Sequence, residues 1–496
     1  AQVQTQLFPG FDLTAGLRLD YTAYLDQANY NEVVDRTLGL NTSNKLTTLQ
    51  VQPRVQATWD LGQNGRDIVR LGGGILGSAL NPYSMINNML FDGSHITSVD
   101  LNTASGLVPT PNFPAYRQDP TTAPGRDLLN NAAIPKLATI NMNGKDAKVP
   151  VVYKANASYS HFFSQNFRVT ASGYLSFGRN NYTYLDQNMV DQPYFRIAAE
   201  DNRGVYVPAS TIDPRGITDW TQSRKTTEIG RVLELQSIGK VNQMAFVVDA
   251  DYKYFRDGEV SVSYTWNQSK DNTSYNGNVA NTATLVQYIK DDPRNLGNVT
   301  YSDNHFRNKV VFYASSPTFH GFSAGLRFSG ISGTRYSLFV NGNVNGDFVA
   351  TNDLAYVYDP NAASTPQYLK DGINAILANP NVEQSTKDYI QSSYGKIAAR
   401  NGGVNPFYGV FDLRILKKVK TFKKQYLEIS ADLFNVANLL KKEWGVNHNV
   451  GATSLYSIRT FDPVTQQYTY NVNTNAGVSN LSGNPYQFQL GLRYGF

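Results

Sequence analysis

The sequence contains no cysteine among its 496 residues. That absence removes disulfide frameworks, thiolate zinc sites, iron–sulfur clusters and cysteine nucleophiles together. Nowhere do about 18 apolar residues follow one another, so a membrane protein built of helices is excluded. Charge is also scarce: Asp, Glu, Lys and Arg make up 17% of the chain, against about 25% in an average soluble protein. The net charge of +5, from 44 basic and 39 acidic residues, is small for this length and reads as forming no basic block, so nucleic acid is not implied as a partner. The opening Ala-Gln-Val-Gln-Thr-Gln-Leu-Phe lacks the basic stretch and short apolar run of a secretion signal, and the chain is expected to be mature or cut.

What is plentiful is aromatic: 32 Tyr, 25 Phe and 4 Trp. A wholly disordered chain does not carry so many. These residues fall into a pattern of period two, the signature of strands with one apolar and one polar face. Tyr486, Phe488, Leu490, Leu492, Tyr494 and Phe496 lie on one face, and Gln487, Gln489, Gly491, Arg493 and Gly495 on the other. Phe11 to Tyr21 and Leu49 to Trp59 repeat the alternation. About twelve segments read this way, near 8–24, 47–61, 67–79, 148–162, 166–187, 232–256, 258–271, 305–316, 320–340, 406–418, 424–438 and 484–496.

Their connections alternate between two kinds. Short turns are expected at 62–66, 163–165, 257–258, 317–319 and 419–423, and long polar loops at 80–147, 188–231, 272–304, 341–405 and 439–483. Strands of about 9 to 11 tilted residues cross a bilayer. Aromatics near strand ends, such as Tyr21, Trp59, Tyr159, Tyr254, Trp266 and Tyr494, suit interfacial girdles. Short turns at one end and long loops at the other are the asymmetry of bacterial outer-membrane barrels, whose loops are extracellular. Residues 1–496 therefore read as one all-β domain, a transmembrane antiparallel up-and-down β-barrel of about twelve strands in the outer membrane of a Gram-negative cell. Its first partner is outer-membrane lipid.

Several segments resemble a known family. Phe411-Asp412-Leu413-Arg414-Ile415, then Asp432-Leu433-Phe434-Asn435-Val436-Ala437-Asn438-Leu439-Leu440 and Glu443-Trp444-Gly445, are similar to the late-barrel signature of TonB-dependent receptors. Ser332 to Ser337, the loop Asn343-Val344-Asn345-Gly346-Asp347 with Asn352 to Val357, and Leu13 to Asp20 resemble the Oar-like branch common in Bacteroidetes. The resemblance implies energy-coupled uptake of a ligand, with TonB acting through a plug domain as partner. It also implies recognition of the terminal Phe496 by the barrel-assembly machinery. The family pattern has a plug and about 22 strands. No plug is visible in this chain, which is expected to be a C-terminal portion of such a barrel. Two alternatives stand beside this: an Oar-like scaffold or adhesin presenting its loops to other outer-membrane proteins, and a complete 12-stranded barrel.

Candidate chemistry is sparse. His95, His161, His305, His320 and His448 lie far apart in sequence, and surface or turn positions are the expectation for them. Ser160-His161 invites comparison with a barrel lipase, but His161 falls beside a short turn with no Ser and Asn at its level, so no enzyme activity and no catalytic residue is expected. Asn341, Asn343, Asn345 and Asp347 space oxygen donors at alternate positions around Gly346, as a calcium loop does, although the acid at the twelfth position is missing. A weak structural Ca²⁺ site is the expectation there; otherwise no cofactor is expected. Residues 361–400 read as helical, as an insert that gates the mouth, docks a partner or, more ordinarily, pads the surface.

Overall fold

The computed structural model describes residues 1–96, 110–123, 137–273, 279–451 and 453–496. Parts of the expected loops 80–147, 272–304 and 439–483 therefore lie outside the described residues.

Alternating side chains build one long sheet whose main path is thirteen strands, each antiparallel to the next; two short strands pair off that path, Ile140–Asn143 in parallel with Val232–Leu235 and Thr300–Tyr301 against Lys270 and Asp271. The strands of the main path are β1 (Gln2–Phe8), β2 (Phe11–Ala23), β3 (Thr47–Asp60), β4 (Asp67–Gly77), β5 (Val151–Ser164), β6 (Phe167–Asp186) and β7 (Val232–Tyr254). They continue through β8 (Gly258–Asp271), β9 (Asn308–Ser315), β10 (Phe322–Ile331), β11 (Tyr408–Lys420), β12 (Tyr426–Phe434) and β13 (Gln487–Gly495). All twelve expected segments are present. β1 is a thirteenth, missed because Thr5 interrupts the apolar side of Val3 and Leu7 and leaves Gln2, Gln4 and Gln6 as the stronger signal. It joins β2 through Pro9-Gly10; Gly10 has φ +81, and a Cβ there would meet the Asp60 carbonyl oxygen at 2.7 Å.

Register keeps like with like across the sheet. Leu17 stands opposite Pro53, Leu19 opposite Val51 and Tyr21 opposite Leu49. At the other end Leu433 faces Phe488, Ala431 faces Leu490 and Ile429 faces Leu492. This face is apolar yet uncovered: Leu490 is 69% and Leu492 73% exposed. A surface of that kind in water is an aggregation liability; in hydrocarbon it is the solvated side.

The tight turns fall at one end of the sheet. Phe255 and Arg256, at φ 45 and 50, lie in the three-residue turn Phe255–Asp257 between β7 and β8, where short hairpin loops call for left-handed residues. Between β5 and β6, the Ser164 hydroxyl accepts the Asn166 and Phe167 N–H groups. At the other end two strands run far past membrane thickness. The 23 residues of β7 span about 75 Å, against a hydrocarbon core of about 30 Å. Their upper portions, Tyr182–Asp186 and Val232–Leu235, are buried among loop residues.

One expected strand ends early. The segment 320–340 leaves the sheet at Ile331, and Leu338–Asn341 instead pairs in parallel with residues of Thr453–Asp462. Leu338 and Val340 are fully buried there, and that burial redirects the chain. The apolar core of this protein sits in its loops, since the apolar side of the sheet faces outward.

Candidate functional site

The loop end carries a folded cap. One buried cluster draws Ile197, Val205 and Val207 from the loop before β7, Leu338 and Val340 from the chain after β10, and Leu455, Tyr456, Phe461 and Tyr470 from the loop before β13. Residues 361–400 form two helices, Gln367–Ala378 and Gln384–Ser392. They are not surface padding. Leu369, Ile373, Ile376 and Ile390 are buried in the same cluster, because their i, i+3/i+4 and i+7 spacing gives each helix one apolar side. Gly372 brings the first helix onto the strand Gln467–Val472, where a Cβ would come within 2.6 Å of the Val472 side chain.

Two buried ion networks tie the loops together. Arg203 is fully buried; its Nε donates to Glu200 at 3.1 Å, Nη1 to the Lys290 carbonyl at 3.2 Å and Nη2 to the Leu354 carbonyl at 2.5 Å. Nη1 also stands 3.5 Å from the Asp353 carboxylate. The Tyr470 hydroxyl donates to Glu200 at 2.5 Å. Burial pushes Asp353 up to about 7, against the pull of Arg203 and with the push of Asp347. In the second network, Asp186 accepts from Arg224 at 2.7 Å and from Arg231 at 3.2 Å. Burial raises the Asp186 pKa, but the two guanidinium groups outweigh it and hold the carboxyl below its ordinary value. Arg231 also reaches Asn281 and Thr284 and lies 4.3 Å from the Phe348 ring. Against the second network lies a cavity of about 20 Å³ lined by Tyr184, Asp186, Arg231, Asp347 and Asn352 among others, room for about one water.

The Asn/Asp loop sits inside this cap. The Asn343 side-chain oxygen accepts the Gly346 N–H at 2.8 Å, that of Asn345 accepts the Asp347 N–H at 3.0 Å, and that of Asp347 accepts the Val349 N–H at 2.6 Å. Asn345 also donates to the Asp291 carbonyl, while Asn341 is exposed at the end of its strand. Asp353 accepts the Val344 and Asn345 N–H groups. The alternate oxygens thus fold the loop as successive side-chain turns, and Gly346 at φ +79 packs against Val207.

The other face of the sheet is polar. Gln52 donates to Asp20 at 2.7 Å, Arg168 pairs with Asp251 at 2.6 Å and Arg414 with Asp432 at 3.4 Å. Arg414 and Asp432 stand directly opposite each other on β11 and β12. One residue past β12, the Asn435 N–H donates to Asp412 at 3.0 Å, and the Asn435 side chain donates to the Gly445 and Asn484 carbonyls. The late-barrel signature residues are therefore the clasp where the last three strands meet the cap.

A family-wide sequence profile described as outer membrane beta barrel domain matches residues 4–455. The chain belongs to that family. This outer membrane beta barrel domain lies in the outer membrane of a Gram-negative cell, and its apolar face is the lipid face. A search among curated proteins finds no match. Among solved structures, the domain is similar to the outer membrane transporter YddB from Escherichia coli, at 11% identity and TM-score 0.46, over 98% of this chain and 43% of that one. It is likewise similar to the FrpB iron transporter from Neisseria meningitidis (F3-3 variant), at 8% identity and TM-score 0.45, over 99% and 44%. The chain spans less than half the length of these structures.

The barrel domain does not bring its hydrolase-like residues together. Neighbours on a strand point to opposite faces; Ser160 bonds to Thr170 at 3.0 Å, and His161 Nδ1 lies 2.6 Å from Asp67. His95 pairs with Asp92 at 2.9 Å, His320 stands at a turn, and His448 lies 3.7 Å from Glu383. His305 departs from the surface expectation. It is buried, its Nδ1 accepts the Ser269 N–H at 3.1 Å, and burial beside Arg335, Arg307 and Lys270 pushes its pKa down to about 4.

Proposed function

We propose that this chain supplies thirteen strands of a larger outer-membrane receptor barrel that takes up a ligand captured on its cap. The observation that carries the reading is the sheet: thirteen strands in unbroken antiparallel order, apolar on one face and polar on the other, with no pairing between β1 and β13 among the described residues. Hydrocarbon does not tolerate rows of unpaired backbone N–H and C=O groups, so both edges call for further strands. A closed barrel of twelve strands fits this open sheet of thirteen less well.

The resemblance to TonB-dependent receptors, Oar-like branch, supports energy coupling. On this reading the cap faces the outside and the tight turns face the periplasm. TonB acts through a plug supplied by residues beyond this chain, which contacts the polar face, and Phe496 is read by the barrel-assembly machinery. The cap's own apolar core favours a second reading, a scaffold or adhesin that presents the cap to protein partners. The test is the intact mass of the natural protein from purified outer membranes, followed by capture of TonB by that protein. A mass near twice 55.0 kDa with TonB bound supports uptake. A mass near 55.0 kDa without TonB binding sinks it, and a larger protein that ignores TonB but holds a stable partner selects the scaffold.

A further inference from the structure

The end of β11 and the turn that joins it to β12 carry Lys417, Lys418, Lys420, Lys423 and Lys424, five lysines in eight residues, so the chain does have a basic block. Lys417 belongs to the lipid face, opposite Phe322 on β10 and Ile429 on β12. Its ammonium lies 3.8 Å from the Phe322 ring centroid and donates to the His320 carbonyl at 2.7 Å, at the neighbouring turn. A lysine that starts on an apolar face and stretches toward the turn is snorkelling, and its charge marks the level of the headgroups. Lys418 lies 3.6 Å from the Tyr426 ring, while Lys420, Lys423 and Lys424 are exposed.

Little nearby answers this charge. Glu428 stands across from Lys418 in register, Asp257 on the β7–β8 turn is taken up by Thr318, and among the described residues none of the five lysines forms an ion pair. Around them the turn tips are apolar and uncovered: Phe255, Phe319 and Phe422 are 82%, 74% and 64% exposed. These tips continue the lipid face through Val419, Phe322 and Ile415. Apolar tips beside cations that lack an acidic partner fit a layer that is oily within and anionic at its rim.

We propose that the Lys417–Lys424 turn and the phenylalanine tips beside it dock on anionic phospholipid headgroups in the leaflet at the turn end of the barrel. The proposal rests on the reading that this end faces the periplasm. Each lysine at an anionic surface strengthens association roughly fivefold at low salt.

The test uses the natural full-length protein reconstituted in phosphatidylethanolamine vesicles containing a minority of phosphatidylglycerol, with retained lipid counted by native mass spectrometry. The protein should retain phosphatidylglycerol above its share in the vesicle. The triple variant Lys420→Gln, Lys423→Gln, Lys424→Gln should lose this preference by on the order of tenfold or more. Lys441→Gln with Lys442→Gln, at the loop end, should keep it. No preference in the parent, a preference surviving the triple variant, or equal loss in the loop-end variant would overturn the proposal. A cysteine at Thr421, probed with an impermeant maleimide, separates the two layers of the argument. Protection in intact cells with labelling after permeabilisation supports the periplasmic leaflet, and labelling in intact cells overturns the leaflet assignment whatever lipid is retained.

Discussion

Replacing Arg203 by Met should loosen the cap and leave the barrel intact, and should do so more at alkaline than at acidic pH. The guanidinium is fully buried between Glu200 and Asp353 and donates to two backbone carbonyls from different loops. Met fills similar volume but leaves two carboxylates buried without a counter-ion. Breaking a buried pair in this way costs about 3 to 5 kcal/mol. Protonation limits that cost, because a neutral carboxyl needs no counter-ion.

The sign follows from Asp353, whose pKa burial lifts from 3.8 to about 7 in the folded state. A raised carboxyl pKa means that the folded state holds its proton more tightly than the unfolded one. Its contribution to stability is therefore fullest at low pH and falls as pH rises from about 4 to about 7, by on the order of 4 kcal/mol. Without Arg203 the window extends further upward. Hydrogen exchange of residues 336–398 should show faster opening in Arg203→Met than in the parent at pH 8, with the gap narrowing at pH 5.5. Strand amides of β11 to β13 should not change. Equal loss of protection at both pH values, or no loss at pH 8, would refute the assignment of Asp353 as the group that answers for the missing charge.

Arg224→Ala should act in the opposite pH direction: Asp186, held low by Arg224 and Arg231, contributes stability above its unfolded pKa that is lost as pH falls through the folded value. Acid-induced opening of residues 182–186, read by hydrogen exchange, should therefore begin at higher pH in that variant. Ile376→Ala, at a fully buried helix position, should cost about 2 to 5 kcal/mol of cap stability, seen as earlier cleavage of 361–400 in limited proteolysis; unchanged cleavage would place the helix outside the core. Leu490→Arg on the lipid face should impair assembly, since a cation there costs about 2 to 4 kcal/mol at mid-membrane, and normal heat-modifiable migration would count against that face. If the loop of Asn341, Asn343, Asn345 and Asp347 takes Ca²⁺, adding the ion should slow its proteolysis; no change on titration would remove the site.

The sheet was legible because its signal is local. Leu490 and Gln489 differ in environment by one residue, so period two alone finds the strand, the face and the register. The cap was not, because its signal is spread over three loops. Ile197, Leu338 and Leu455 become neighbours only after the strands have carried their loops to one place, and each alone is a single apolar residue in a polar stretch. The helices at 361–400 were visible from their spacing, yet their partners, Val472 among them, lie about a hundred residues away. Thr5 hid β1, and Lys417 to Lys424 passed unnoticed because net charge averages over the whole chain.

The two halves of this molecule are stabilised by opposite solvents, and that decides how substitutions partition. The sheet turns its apolar side chains outward to hydrocarbon and closes its backbone bonds between strands, so a polar change such as Leu490→Arg acts when the barrel enters the membrane. The cap turns its apolar side chains inward, as a water-soluble domain does, and keeps Arg203, Arg224 and Arg231 inside only because Glu200, Asp353 and Asp186 accompany them. A change at Ile376 or Arg203 therefore acts on the cap, and is expected to open it without unfolding the barrel. The strands that pass from one half into the other, β6 and β7, are where such opening would meet the barrel.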